Sequence, residues 1–220
     1  MLFMKRITAI NFFVLIAIFL SIGTIAQENW DLKKDKDGIK VYSRKNELSK
    51  FNQVRVICSV DAKLSELAAL ILDVTNYSNW VYCTKKTSIL KKVNDSELYY
   101  YAEINSPWPV SNRDLAVDLK ISQDTITKAM TILAECMPNY IPVNENIVRV
   151  PVSKAVWKVT PSGGGRLDID YQLQVDIGGS VPSWIFNMFI ARGPYESFKK
   201  LKEVIHLDKY TATRLSFINN

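Results

Sequence analysis

From Arg166 to Ile177 the odd positions Leu167, Ile169, Tyr171, Leu173, Val175 and Ile177 are apolar, and the even positions Asp168, Asp170, Gln172, Gln174 and Asp176 are polar. A period of two is that of a half-buried strand, with one face wet and the other dry. Gly178, Gly179 and Ser180 then break the strand and Pro182 is placed for a helix start. Beyond it Trp184, Ile185, Met188, Phe189, Tyr195, Phe198, Leu201 and Ile205 recur at helical spacing, which predicts one long apolar helix. Gly193 and Pro194 predict a bend in it, because an interior proline removes a hydrogen bond and clashes with the preceding turn at a cost of ~3 kcal/mol. Curvature wrapping a sheet is the plain use of such a bend; a lid hinge is the alternative.

Upstream, Trp30 and Leu32 lie on a short charged segment that reads as one or two helical turns ended by Asp37 and Gly38. Strands are predicted over Ile39–Arg44 and Lys50–Asp61, the latter with Val54, Val56, Cys58 and Val60 on one face, and together they read as a hairpin. Ser65–Asp73 reads as a helix with Asp61 near its start, and Asn76–Trp80 as a short turn. Further strands are expected over Thr84–Val93, Glu97–Asn105, Asp114–Ser122, Thr125–Glu135, Ile147–Val150 and Ser153–Pro161. Gly163, Gly164 and Gly165 supply the last hairpin turn. Many antiparallel strands around a helical insertion, closed by a terminal helix, define an α+β fold. A curved sheet closed over a helix leaves room for a hollow between them.

The chain of 220 residues has room for one domain. Its first 26 residues stand apart: Lys5 and Arg6 precede the apolar run Ile7–Leu20 and small residues around Gly23, Thr24 and Ala26, the layout of a secretory signal. An uncleaved anchor is the alternative, since about 20 apolar residues span a bilayer. Export would place the protein in the periplasm of a Gram-negative bacterium, or otherwise outside the cell. Residues 27–210 then form the domain and 211–220 a tail. Loss of Lys5 and Arg6 leaves 26 basic against 22 acidic residues, a modest excess that gives no sign of nucleic-acid binding. Basic clusters at Lys33, Lys34 and Lys36, at Lys85 and Lys86, at Lys91 and Lys92, and at Lys199, Lys200 and Lys202 read as a solvated face, with contact to anionic headgroups as the alternative. Cys58, Cys83 and Cys136 form no close pair, and Cys58 falls on an apolar strand face as a buried thiol.

Several segments together resemble the START family, the lipid-transfer domains named after the steroidogenic acute regulatory protein. They are Trp30 with Asp37–Arg44; Leu72, Asp73, Tyr77 and Trp80; Pro107, Trp108 and Pro109 with Asn112, Arg113 and Asp114; Trp157; and Gly178–Trp184 with Gly193 and Pro194. The resemblance implies the helix-grip fold, a curved antiparallel sheet clasping the C-terminal helix around one apolar tunnel. It also implies a bound sterol, phospholipid or ceramide. Sterol-binding relatives place an arginine in the tunnel six residues beyond the one matching Arg113; here that position is Leu119, which makes the wall drier.

The wall positions expected are Val56, Tyr100, Leu115, Val117, Leu119, Met130, Trp157, Leu173, Met188, Arg192 and Tyr195, with Arg192 placed to meet a polar headgroup. Pro107, Trp108, Pro109, Val110 and Trp184 are expected at the tunnel mouth, touching the membrane during exchange. Chemistry for catalysis is thin. His206 is the only histidine, at the end of the terminal helix; no metal-ligand spacing and no phosphate loop occurs; Arg113 and Asp114 read as a structural ion pair or strand-start contacts. Glu103 is the nearest acid that could face inward. The expectation is a monomeric, non-catalytic lipid carrier with no cofactor, no metal and transient membrane contact. The alternative is a cyclase or hydrolase acting on an apolar compound in the same cavity.

Overall fold

A computed structural model describes residues 30–46, 49–106 and 110–220, the side chains of Met188 and Phe189 excepted. Residues 1–29, which contain the leader expected from the sequence, and Pro107, Trp108 and Pro109 lie outside the described residues. Ten strands form one curved sheet: β1 (Asp31–Lys36), β2 (Ile39–Arg44), β3 (Gln53–Asp61), β4 (Thr84–Lys92), β5 (Glu97–Ile104), β6 (Arg113–Gln123), β7 (Met130–Cys136), β8 (Val148–Arg149), β9 (Val152–Pro161) and β10 (Arg166–Asp176). Their order is β1-β2-β3-β10-β9-β7-β6-β5-β4, antiparallel throughout, with β8 added parallel to β6. Helix α1 (Leu64–Leu72) and a 3₁₀ turn (Val74–Asn79) follow β3; α2 (Ser183–Phe189), α3 (Arg192–Val204) and α4 (Asp208–Thr211) close the chain. The α+β helix-grip architecture expected from the sequence is therefore present.

Three local expectations are corrected. Asp31–Lys36 is an edge strand, not helical turns, because the tight turn at Asp37 and Gly38, both at positive φ, folds it back onto β2, whose backbone satisfies it better than one isolated turn would. Thr125–Ala129 is a turn, not the start of β7: the Asp124 carboxylate accepts from the backbone N–H groups of Ile126 and Thr127 and from the Thr127 hydroxyl. The terminal helix is broken rather than bent, with Ile190 and Ala191 between α2 and α3. Pro194 then falls in the first turn of α3, where its missing N–H has no intrahelical partner to lose. Pro182 is the residue before α2, and Lys63, not Asp61, precedes α1, where the Glu66 carboxylate accepts from its N–H at 3.1 Å.

The core lies between the inner face of the sheet and α1, the 3₁₀ turn, α3 and α4. Tyr195, Phe198, Leu201 and Ile205 form the buried stripe of α3, which packs on β2 and β3. Residues 211–220 pack as well: Ile218 joins the core, Gln123 bonds Asn219, and Asn220 accepts from the Ser65 N–H at 3.0 Å. The β1–β2 turn and α3 bring two basic clusters together around Asp37. Its carboxylate accepts from the Tyr195 hydroxyl, Lys202 donates to its carbonyl, and Lys34 sits over the Tyr195 ring at 3.5 Å.

Candidate ligand-binding interior

Register fixes which side chains share the inner face. Leu173 of β10 pairs with Val54 of β3 and Ala155 of β9; Ala155 pairs with Ala134 of β7, Ala134 with Leu119 of β6, and Leu119 with Leu98 of β5. One row of the inner face thus runs through two alanines at the middle of the sheet. Leucines flank them.

Cover is lost along this face in one direction. In β10, Leu167 and Ile169 are buried, whereas Tyr171, Leu173 and Val175 are half-buried. In β9 cover falls from Val159 and Trp157 to Ala155 and Ser153, in β7 from Met130 and Ile132 to Ala134 and Cys136, and in β6 from Leu119 and Val117 to Leu115. β10, β9 and β7 lose cover toward the end where β10 gives way to Gly178, while in β6 only Leu115 is half-buried, between the buried Val117 and Arg113. At the covered end Trp157 packs against Tyr171 and Phe198 with ring centroids 4.9 Å away in each case. Beside the open end, Phe186 of α2 meets Phe51 at 4.9 Å and Asn187 accepts from the Asn52 N–H.

Of the expected wall positions, Val56, Tyr100, Leu115, Val117, Leu119, Met130, Trp157 and Leu173 lie on this inner face. Arg192 does not: it is exposed, with its guanidinium 5.8 Å from the centre of the Tyr82 ring, because its place at the start of α3 turns it outward. Tyr195 is buried, but its hydroxyl leaves the interior for Asp37, and that bond pushes the phenol up to about 12. The Met188 side chain lies outside the described residues. At the expected mouth Val110 is half-buried and Trp184 is 66% exposed. Tyr171 was missed, although it shares the parity of Leu173 and the strict alternation carried the signal.

Arg113 and Asp114 do not pair, since neighbours on a strand face opposite ways. Asp114 turns outward to Arg149. Arg113, 4% exposed, donates to the carbonyls of Ser111, Ile177 (3.3 Å) and Gly178 (3.4 Å), and burial holds it below the ordinary arginine range. Glu103 pairs in register with Asp114 and so lies on the outer face, bonded to Lys85 at 2.8 Å and to Asn112 at 3.1 Å. Those bonds, with the Lys85 contact foremost, hold its carboxyl below the usual range. His206 is exposed. Among the described residues no three His, Cys, Asp or Glu side chains gather where a metal could sit, and no helix is long and apolar enough to cross a membrane. All three cysteines are free, and burial pushes the Cys58 thiol up to about 12.

Comparison with known proteins agrees with this geometry. An uncharacterised Pseudomonas aeruginosa protein is 31% identical over 189 residues, 84% of this chain and 91% of its own length. The crystal structure of a STAR-related lipid transfer protein from Xanthomonas axonopodis superposes with a TM-score of 0.75 at 31% identity, covering 81% of this chain and 99% of that one. Rat phosphatidylcholine transfer protein is 25% identical over 182 residues, 78% of this chain and 81% of its own. The START domain model matches residues 14–212, and the chain belongs to the START domain family.

Proposed function

We propose that this protein is a non-catalytic lipid carrier that holds one hydrophobic or amphipathic ligand between the inner face of the sheet and its C-terminal helices. The observation that carries the reading is the shared loss of cover at one end of β10, β9 and β7, centred on Ala134, Ala155 and Leu173. Apolar side chains left half-covered inside a fold form a surface suited to an apolar ligand. Burying roughly 400 Å² of hydrocarbon at ~25 cal/mol per Å² yields about 10 kcal/mol before association costs, which makes micromolar binding attainable. The names of the Xanthomonas and rat relatives, lipid transfer and phosphatidylcholine transfer, favour the same class of ligand.

The mouth of this interior lies beside α2, where Trp184 presents its ring to solvent and meets the membrane during exchange. The leader directs export, and the carrier acts as a monomer in the periplasm of a Gram-negative bacterium or otherwise outside the cell. Native mass spectrometry of protein purified from its own envelope fraction, followed by lipid uptake from labelled vesicles, tests the reading. A co-purifying lipid that exchanges with vesicles is expected. Protein that carries no lipid and takes none is not a carrier, and chemical turnover of an added lipid replaces the carrier with the enzyme alternative.

A further inference from the structure

The strand registers bring the chain into β1 at the half-covered end of the sheet. Asp31 pairs with Ser43, Ser43 with Val54 and Val54 with Leu173, so β1 starts level with Leu173. The Trp30 ring just ahead of it is fixed there, with the Arg44 guanidinium 4.5 Å from its centre and that of Arg55 at 6.0 Å. Arg44 donates to Gln53 at 2.6 Å, and the N–H of the neighbouring Asn52 donates to Asn187 of α2 at 3.2 Å. Trp30 and α2 therefore lie at one end of the molecule. Asn219 and Asn220 lie at the other: the first bonds Gln123 where β6 finishes, and the second bonds Ser65 at the start of α1.

Length decides what a segment ahead of Trp30 can do. Residues 7–27 include no charged side chain, and a run of about 20 such residues is enough to span a bilayer. Cations just before such a run favour the cytoplasmic side, and Lys5 and Arg6 stand there. Between the run and Trp30 come Glu28 and Asn29. A tether of that length reaches about 11 Å at most, whereas the 11 residues of β10 cover roughly 36 Å from one end of the sheet to the other. So short a tether keeps the half-covered end, and not the opposite one, within reach of a bilayer that holds residues 7–27. The surface at that end suits the contact. Trp184 is 66% and Val152 46% exposed, and Lys45 and Lys50 are exposed on the loop between β2 and β3. Aromatic and aliphatic side chains enter the interface, and ammonium groups meet anionic headgroups.

We infer that residues 7–27 stay attached as a membrane anchor and that the half-covered end of the domain faces the bilayer that holds them. Lipid then passes between this end and the anchoring membrane without release of the domain. The inference rests on the carrier reading for what passes through that end; the orientation follows from chain direction and tether length.

The test uses the full chain expressed in a Gram-negative host. Carbonate extraction is expected to leave it in the membrane with residues 1–26 present in its intact mass; extractable protein that begins at Gln27 overturns the anchor. Orientation is read after reconstitution into phosphatidylethanolamine–phosphatidylglycerol vesicles, from a polarity-sensitive fluorophore on one introduced cysteine in a Cys83→Ser/Cys136→Ser background. Val152→Cys and Ser162→Cys mark the two ends of β9, since Val152 pairs with Asp176 and Ser162 follows Pro161. A blue shift at position 152 alone is expected. A shift at position 162, or at neither position, overturns the orientation. Uptake of labelled lipid is measured on the same vesicles: anchored, oriented protein that takes up none keeps the anchor and removes the carrier reading, whereas cleaved protein that takes up lipid removes the anchor and keeps the carrier.

Discussion

Arg149 holds Asp114 through two parallel bonds, Nε to Oδ1 at 2.7 Å and Nη2 to Oδ2 at 3.1 Å, with the side chains 9% and 2% exposed. The same guanidinium donates to the carbonyls of Pro138, Ile141 and Pro142, so one side chain ties the loop after β7 across the outer face of β6. Tyr140 from that loop then stacks edge-on against Tyr99 of β5 at 5.2 Å. A sequence offering Arg113 beside Asp114 conceals this pairing, because the true partner lies 35 residues away.

Removing one member leaves the other charged and buried. Asp114→Asn is expected to cost about 3–5 kcal/mol in urea denaturation, whereas replacing both residues by apolar ones costs less than either single change. A double variant whose loss equals the sum of the two single losses would show that the pair is not coupled.

Leu119 is 1% exposed, so Leu119→Arg buries a charge and is expected to unfold the protein rather than only hinder uptake. Leu173 at the half-covered end is the better probe. Leu173→Trp adds volume at this half-covered position: on the carrier proposal lipid uptake falls about tenfold while stability changes by less than 1 kcal/mol. A stability loss of about 1–3 kcal/mol, the range for overpacking, means that the space was already filled.

The Tyr195 bond to Asp37, helped by Lys36, Lys199 and Lys34, holds the Asp37 carboxyl below its ordinary value near 3.8. A depressed folded-state value means that the contribution is present above the unfolded-state pKa and is lost as pH falls through the folded one. The melting-temperature difference between wild type and Tyr195→Phe is therefore expected to be constant from pH 5 to 8 and to shrink below about pH 4. A difference that persists at pH 2 assigns the effect to packing alone.

Cys58 is buried with its thiol pushed up to about 12, while Cys83 and Cys136 are half-buried. Iodoacetamide at pH 8 is expected to leave Cys58 unmodified in the folded protein, and to modify all three after denaturation without reductant. Mass spectrometry showing fewer than three additions in the denatured sample would reveal a disulfide.

Much of the architecture was legible because strand alternation is local. The odd positions of β10, the valines of β3 and the turn glycines announce their own faces and breaks. The charged segment Asp31–Lys36 misled because its strand state depends on β2, a partner that no local pattern names. The helix break before Pro194 was legible only as a bend, since proline position relative to a helix start depends on where α2 ends.

The periodicities of this chain determined most of its element types and which side chains share the inner and outer faces, because side-chain direction follows directly from backbone period. Only the tertiary structure decided which inner-face positions are half-covered and that Asp114 belongs to Arg149. Those relations depend on the curvature of the sheet and on contacts far apart in sequence, where a small change of angle per strand accumulates into the shape of the interior.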